Sequence, residues 1–224
     1  MPLSPLYLIT DPLLSGRSDA QSLFEAIESA LDEGVRLIQY REKNRDRRQM
    51  YETAIRLREL TARCGATLIV NDEIDLALAV KADGVHLGQG DLPVWLARKV
   101  LGRKVLGKDA IIGISTHRCS EAIQAESDGA DYIGIGPIFK TQTKQSSNPP
   151  LGLDTITEVR NQIQVPIFAI GGIRLSHIPD IIAAGADGIA VISSIAGDIR
   201  SNVKQAMTLL NTNSKRNPRP SEGK

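Results

Sequence analysis

The sequence predicts an α/β protein, a single (β/α)8 barrel of the TIM type followed by a disordered C-terminal tail. Three observations predict it. Eight short β-branched runs alternate with segments whose apolar residues recur at three and four. A Gly/Ala/Asp element recurs where those helical segments give way to strands. Polar residues collect after the strand runs rather than before them, as a site at the C-terminal mouth of a barrel requires. The 224 residues suit one such domain, assigned to 1–210 with the tail at 211–224. A doubly wound open sheet is the main competing architecture.

Taken in order, Leu6–Thr10 is the first strand. The second, Arg36–Glu42, follows Val35, and alternation puts Val35, Leu37, Gln39, Arg41 and Lys43 on one face. An apolar stem thus ends in an amide and two cations, suited to a polyanion or to a salt-bridged surface. The third strand, Thr67–Asp72, ends in Asn71-Asp72, and the fourth, Gly84–Gln89, runs on to Gly90-Asp91. Ends of adjacent parallel strands lie close, so Asp72 and Asp91 can share a hard cation such as Mg2+, which takes few carboxylates and completes its shell with phosphate and water. Each aspartate can also cap a helix, one near Ile74 and one at Leu92-Pro93.

The fifth strand, Ala110–Thr116, puts Ser115 and His117 on one face. Ser115 can donate to a phosphate oxygen; His117 is either an acid/base or a hydrogen-bonded residue of the mouth. His86 and His177 receive no role. The sixth, Tyr132–Ile138, carries Gly134 and Gly136 at period two, leaving room for a flat ring, and leads into a polar loop from Lys140 to Asn148. That loop suits a lid over phosphate, or simply a solvated surface. The seventh, Pro166–Ile173, contains Gly171-Gly172, and the eighth, Gly188–Ser193, runs into Ser194. Loops at these places, feeding bare amides at a helix N-terminus, form the usual phosphate cradle of such barrels. Helices are predicted at Asp46–Cys64, Leu92–Leu101, Ser120–Asp128 and Ser176–Ala184, with Gly34, Gly84, Gly129 and Gly185 supplying left-handed caps before strands.

Composition narrows the function. A formal charge of +1 gives no global basic field, which argues against nucleic acid or anionic membrane as partner. The tail carries four Lys or Arg against one Glu, so residues 1–210 stand at −2 and anion binding must be local. Cys64 and Cys119 lack CxxC or His-rich surroundings, so neither a disulfide framework nor a zinc site is expected. With no signal-like start and no long apolar run, a cytoplasmic protein is expected. Two anion sites, one metal-assisted on the second to fifth strands and one amide cradle on the seventh and eighth, would suit two phosphorylated substrates joined across a glycine-floored pocket.

From Leu6 to Ser194 the chain resembles the thiamine phosphate synthase family. The resemblance is carried by Tyr7-Leu8-Ile9-Thr10-Asp11, Gln39-Tyr40-Arg41-Glu42-Lys43, Asn71-Asp72 with Asp75-Leu76-Ala77, and Asp83 through Gln89 with Asp91-Leu92-Pro93. Gly113 to His117, Gly134 to Phe139, Thr141-Gln142-Thr143-Lys144 and Gly171-Gly172 complete it. The resemblance implies that 4-amino-2-methyl-5-hydroxymethylpyrimidine diphosphate binds through Gln39, Tyr40, Arg41, Glu42, Lys43, Asn71, Ser115 and Lys144. Mg2+ would sit on Asp72 and Asp91, and thiazole phosphate at Thr141, Gln142, Thr143, Gly172 and the Ile192-Ser193 amides. Arg41, Lys43, Ser115 and Lys144 would be the catalytic group. The implied alternative is a thiazole tautomerase on the same barrel, in which His117 would matter. Homo-oligomerisation is left open. Two positions depart from the family: Lys140, where proline is usual, and Glu73, where a neutral or basic residue is common.

Overall fold

The computed structural model describes residues 3–11, 20–102, 110–141 and 149–214. Eight parallel strands close into a barrel in sequence order: β1 (Leu6–Ile9), β2 (Leu37–Tyr40), β3 (Thr67–Asn71), β4 (Gly84–Leu87), β5 (Ile111–Thr116), β6 (Tyr132–Ile135), β7 (Ile167–Ile170) and β8 (Gly188–Val191). The pairing of β1 with β8, Leu6 opposite Ile189 and Leu8 opposite Val191, excludes an open doubly wound sheet. All eight predicted strands are present, mostly shorter at the C-terminal end, because the predicted runs include residues that have already turned into the mouth loops.

The described helices are α1 (Ala20–Asp32), α2 (Arg47–Arg63), α3 (Ile74–Ala79), α4 (Val94–Leu101), α5 (Cys119–Ser127), α6 (Asp154–Arg160), α7 (Ile178–Ala183) and α8 (Ile199–Ser214). Single 3-10 turns precede α7 at Leu175–His177 and follow β8 at Ser193–Ile195. Helix α2 starts because the Asp46 side chain accepts the Gln49 amide. Helix α8 continues four residues into the stretch predicted as tail. Thr212 Oγ1 and Asn213 Nδ2 donate to the carbonyls of Thr208 and Leu209, so these polar side chains stay on the helix instead of ending it. Among the described residues no helix is long and apolar enough to cross a membrane, and both cysteines are free thiols.

Two apolar layers form. Strand residues such as Ile38, Leu68, Val85, Ile112, Ile133 and Ile189 face outward and pack with the helices in one continuous shell. Tyr7, Ile9, Leu37, Ile69, Tyr132, Phe168 and Ala190 fill the barrel interior. Val35 belongs to the outer shell, correcting the predicted common face with Leu37. Its amide still closes the α1 end onto Ala30, and the strand alternation starts only at Leu37.

The recurring Gly/Ala/Asp element has more content than helix capping. Gly34, Gly129 and Gly185 take positive φ as predicted, but before β4 the left-handed residue is Lys81, and Gly84 lies in the strand. The aspartates are the stronger device. Asp83 Oδ2 accepts the Leu68 amide and Arg58, Asp131 Oδ2 accepts the Ile112 amide and Arg98, and Asp187 Oδ2 accepts the Ile167 amide and Arg160. Each ties the base of one strand to the strand before it and to an arginine of the helix that leads into that earlier strand.

Candidate active site

The interior packing sets the floor of the site. Three aromatic rings, Tyr7, Tyr132 and Phe168, meet edge to face at centroid separations of 5.4 to 5.7 Å. Their bulk fits because neighbouring positions are bare: a Cβ on Gly113 would lie 2.0 Å from the Tyr132 ring, and one on Gly188 2.8 Å from Phe168. Above this floor opens a cavity whose empty space, counted out into the solvent at its mouth, is about 930 Å³.

One side of the cavity is built by β2 to β5. Gln39, Arg41, Asn71, His86 and Ser115 line it. Arg41 lies just past β2, where its amide donates to Thr10 Oγ1 at 2.9 Å and its guanidinium stands 3.8 Å from Asp11. Lys43 reaches the rim and pairs with Asp72 at 2.5 Å. Two other members of the predicted run face elsewhere. The Tyr40 ring packs in the outer shell, its buried hydroxyl beside the Thr53 side chain but without a well-formed hydrogen bond among the described residues, and burial pushes its phenol up to about 12. Glu42 folds back: its carboxylate accepts the Lys43 and Asn44 amides at 2.8 Å and pairs with Arg45. A carboxylate would repel a diphosphate, and here its charge shapes the loop that carries Lys43.

The two aspartates meet at this rim, and neither caps a helix. Glu73 and Pro93 hold the cap positions of α3 and α4. Asp72 takes φ +62, a left-handed conformation that aspartate tolerates better than most residues. Asp91 Oδ2 accepts the Gly88 amide at 2.6 Å. Burial, and then the neighbouring Asp72 carboxylate, raise the Asp91 carboxyl above its usual range against the pull of that amide. Two mutually repelling oxygen donors suit a hard dication that takes the rest of its shell from ligand and water. No group of three or more His, Cys, Asp or Glu placed to hold a metal exists among the described residues. The Glu73 side chain bonds Arg47 rather than joining this pair.

The other side is built after β6, β7 and β8. Gly136, Pro137, Thr141, Gly171, Gly172, Ile192, Ser193 and Ser194 line it. Gly171 and Gly172 have φ of +97 and +64, and a Cβ on Gly172 would lie 2.4 Å from the Lys140 carbonyl, so this pair lets the loops after β6 and β7 touch. Gly134 leaves the cavity open, its nearest neighbour being His86 at 3.4 Å from a notional Cβ. Gly136 has a different reason: its Cβ would strike the Ile170 carbonyl at 2.2 Å, so it serves strand approach. Gln142, Thr143 and Lys144, with the predicted lid through Asn148, lie outside the described residues.

His117 lines the cavity with Nδ1 donating to the Gly136 carbonyl at 2.6 Å, as a hydrogen-bonded mouth residue would. His86, to which sequence reasoning gave no role, is buried in the wall. It stacks on Tyr132, and its ring nitrogens meet the Tyr132 hydroxyl at 3.0 Å and Ser115 Oγ at 2.9 Å. The available signal was its inward register on β4, two residues beyond Gly84.

Against this geometry, a family model described as thiamine monophosphate synthase matches residues 6–195. The thiamine-phosphate synthase of Chloroflexus aurantiacus is 48% identical over 207 residues, 92% of each chain. That of Clostridium novyi is 47% identical over 191 residues, 85% of this chain and 89% of the relative. Among solved structures, thiamine phosphate pyrophosphorylase from Pyrococcus furiosus superposes with a TM-score of 0.79 at 36% identity, covering 92% of this chain and 95% of that one. A 3-hexulose-6-phosphate synthase from Salmonella typhimurium, 18% identical with a TM-score of 0.70 over 94% of this chain and all of its own, shares the fold.

Proposed function

The chain belongs to the thiamine monophosphate synthase family, whose members are transferases, and from that premise we propose the reaction it performs. It joins 4-amino-2-methyl-5-hydroxymethylpyrimidine diphosphate to 4-methyl-5-(2-phosphoethyl)thiazole, or to the carboxylated thiazole with loss of its carboxyl group as CO2, giving thiamine phosphate and pyrophosphate. One observation carries the reading: a single cavity has Arg41 and Ser115 on one side and Gly172 and Ser193 on the other, and Lys43, Asp72 and Asp91 meet one another, with Asp72 next in sequence to Asn71 of the first side.

Arg41, Lys43 and Ser115 would bind the diphosphate, and Gln39 and Asn71 the rest of that substrate. Gly172 and the Ile192-Ser193 amides, with Thr141, would hold the thiazole phosphate. Gln142, Thr143 and Lys144 belong to the same proposal by position in the sequence. Asp72 and Asp91 would hold Mg2+, which when bound offsets charge on the diphosphate. The bond from the pyrimidine methylene to oxygen breaks with its electron pair going to pyrophosphate, and the thiazole nitrogen lone pair then bonds the methylene cation. Arg41 and Lys43 stabilise the departing charge, and the cavity walls align the two rings. No base is required, because that nitrogen already carries a lone pair. The tautomerase alternative has less support: the relatives cited are synthases, and His117 Nδ1 is occupied by the Gly136 carbonyl.

The test is to mix purified protein with both substrates, with and without Mg2+, and follow thiamine phosphate as fluorescent thiochrome. Mg2+-dependent product is expected. Well-folded protein that forms none would refute the reading.

A further inference from the structure

Beneath the cavity runs an unbroken series of hydrogen bonds whose direction can be worked out. Gln39 Nε2 donates to the Tyr7 hydroxyl at 2.7 Å, the Tyr7 and Tyr132 hydroxyls are 2.7 Å apart, Tyr132 meets His86 Nδ1 at 3.0 Å, and His86 Nε2 meets Ser115 Oγ at 2.9 Å. An amide nitrogen only donates, so Tyr7 accepts from Gln39 and its own proton needs an acceptor. Tyr132 is the one recorded for it among the described residues. Tyr132 then accepts from Tyr7 and must donate to His86 Nδ1, which leaves the ring proton on Nε2, facing Ser115. The opposite direction would strand the Tyr7 proton against an amide nitrogen in a position 1% exposed, at the cost of an unsatisfied buried donor. Burial, the main cause, drives both phenols well above the ordinary tyrosine range, so each keeps the single proton this order needs.

We propose that this chain fixes His86 as its Nε2–H tautomer and thereby turns the Ser115 hydroxyl into a donor aimed at the diphosphate, with Tyr132 and His86 as positioning residues. The proposal rests on the synthase reading only for the identity of the anion. Ser115 Oγ accepts from His86, and its own proton is left for the cavity, which it lines. A hydroxyl offering lone pairs there would repel an anion; one offering its proton binds it. The Tyr132 ring cannot drift, since it lies across the bare Cα of Gly113 and against Phe168.

The chain contains three histidines, so long-range 1H–15N spectra of labelled protein can read His86 directly, with His86→Gln identifying its signals. In the unaltered protein His86 Nδ1 should show the shift of an unprotonated nitrogen and Nε2 that of a protonated one. Tyr132→Phe, which keeps the ring, should mix the tautomers and raise KM for the pyrimidine diphosphate about tenfold while kcat changes less, the size expected for a weakened bond to a charged group. Tyr7→Phe leaves the Tyr132 donor in place, so it should preserve the tautomer and change KM by less than about threefold. A protonated Nδ1 in the unaltered protein, or equal effects of the two phenylalanines on the His86 shifts, overturns the proposal whatever the activity. The expected tautomer in protein that makes no thiamine phosphate would support the relay and refute the functional reading instead.

Discussion

The two ends of the barrel use the same charged residue types in opposite ways. At the base, Asp83, Asp131 and Asp187 each accept a strand amide and an arginine, so every charge named there is matched locally. At the mouth, two carboxylates stand against each other with Lys43 on one of them, and Arg41 stands 3.8 Å from Asp11. The base is arranged for its own stability. The mouth keeps charge that a ligand can complete, at some cost to the empty protein. A carboxylate's role is therefore told by whether its partners lie within the fold or are still to come.

Substitutions can break that contrast. Asp72→Ala should lower turnover on the order of 100-fold or more, as losing one strong electrostatic stabiliser does, while stability in urea falls by no more than about 1 kcal/mol, since relief of the repulsion with Asp91 offsets the poorer fit of alanine to the left-handed backbone. Near-normal Mg2+-dependent turnover would remove Asp72 from the site. Asp187→Ala is the converse case: a loss of about 1–3 kcal/mol in urea unfolding is expected from the stranded Ile167 amide and Arg160, with the folded fraction turning over normally. If turnover fell as far as in Asp72→Ala, the division between the two ends would be mistaken. His117→Ala should stay within about tenfold in turnover, since the residue moves no proton in the proposed reaction; a much larger loss in folded protein would move His117 into the chemistry. Smallest is Tyr40→Phe, which deletes a buried hydroxyl without a well-formed hydrogen bond among the described residues and should change stability by less than about 1 kcal/mol, with an increase the favoured sign. Marked loss on thermal unfolding would mean that the hydroxyl is satisfied after all.

The barrel was legible because its signal is repeated: eight strand runs and a recurring Gly/Ala/Asp element all imply the same unit. Gln39, Arg41 and Ser115 were legible for the related reason that strand alternation points them inward, Asn71 through the family resemblance, and the structure puts all four on the cavity wall. What escaped needs partners distant in sequence. Tyr132 and His86 read as an aromatic strand residue and a lone histidine, and only closure of the barrel joins them to Tyr7 across 125 and 79 positions. The second function of the Gly/Ala/Asp element escaped likewise, since the Asp187 partners sit at Arg160 and Ile167. Glu42 and Tyr40 show the reverse error. Adjacency to binding residues suggested binding, whereas a side chain's direction depends on where the strand stops and the loop begins.

The pairing of β1 with β8 has a consequence for the order of events on the ribosome. Leu6–Ile9 is made early, yet one of its two edges has no hydrogen-bonding partner until Gly188–Val191 has been made. During that interval the nascent sheet is open along β1, an edge able to pair with other chains. The Gln39, Tyr7 and Tyr132 contacts at the floor of the cavity likewise span β1, β2 and β6, so the sheet and the floor both wait on residues made long after β1.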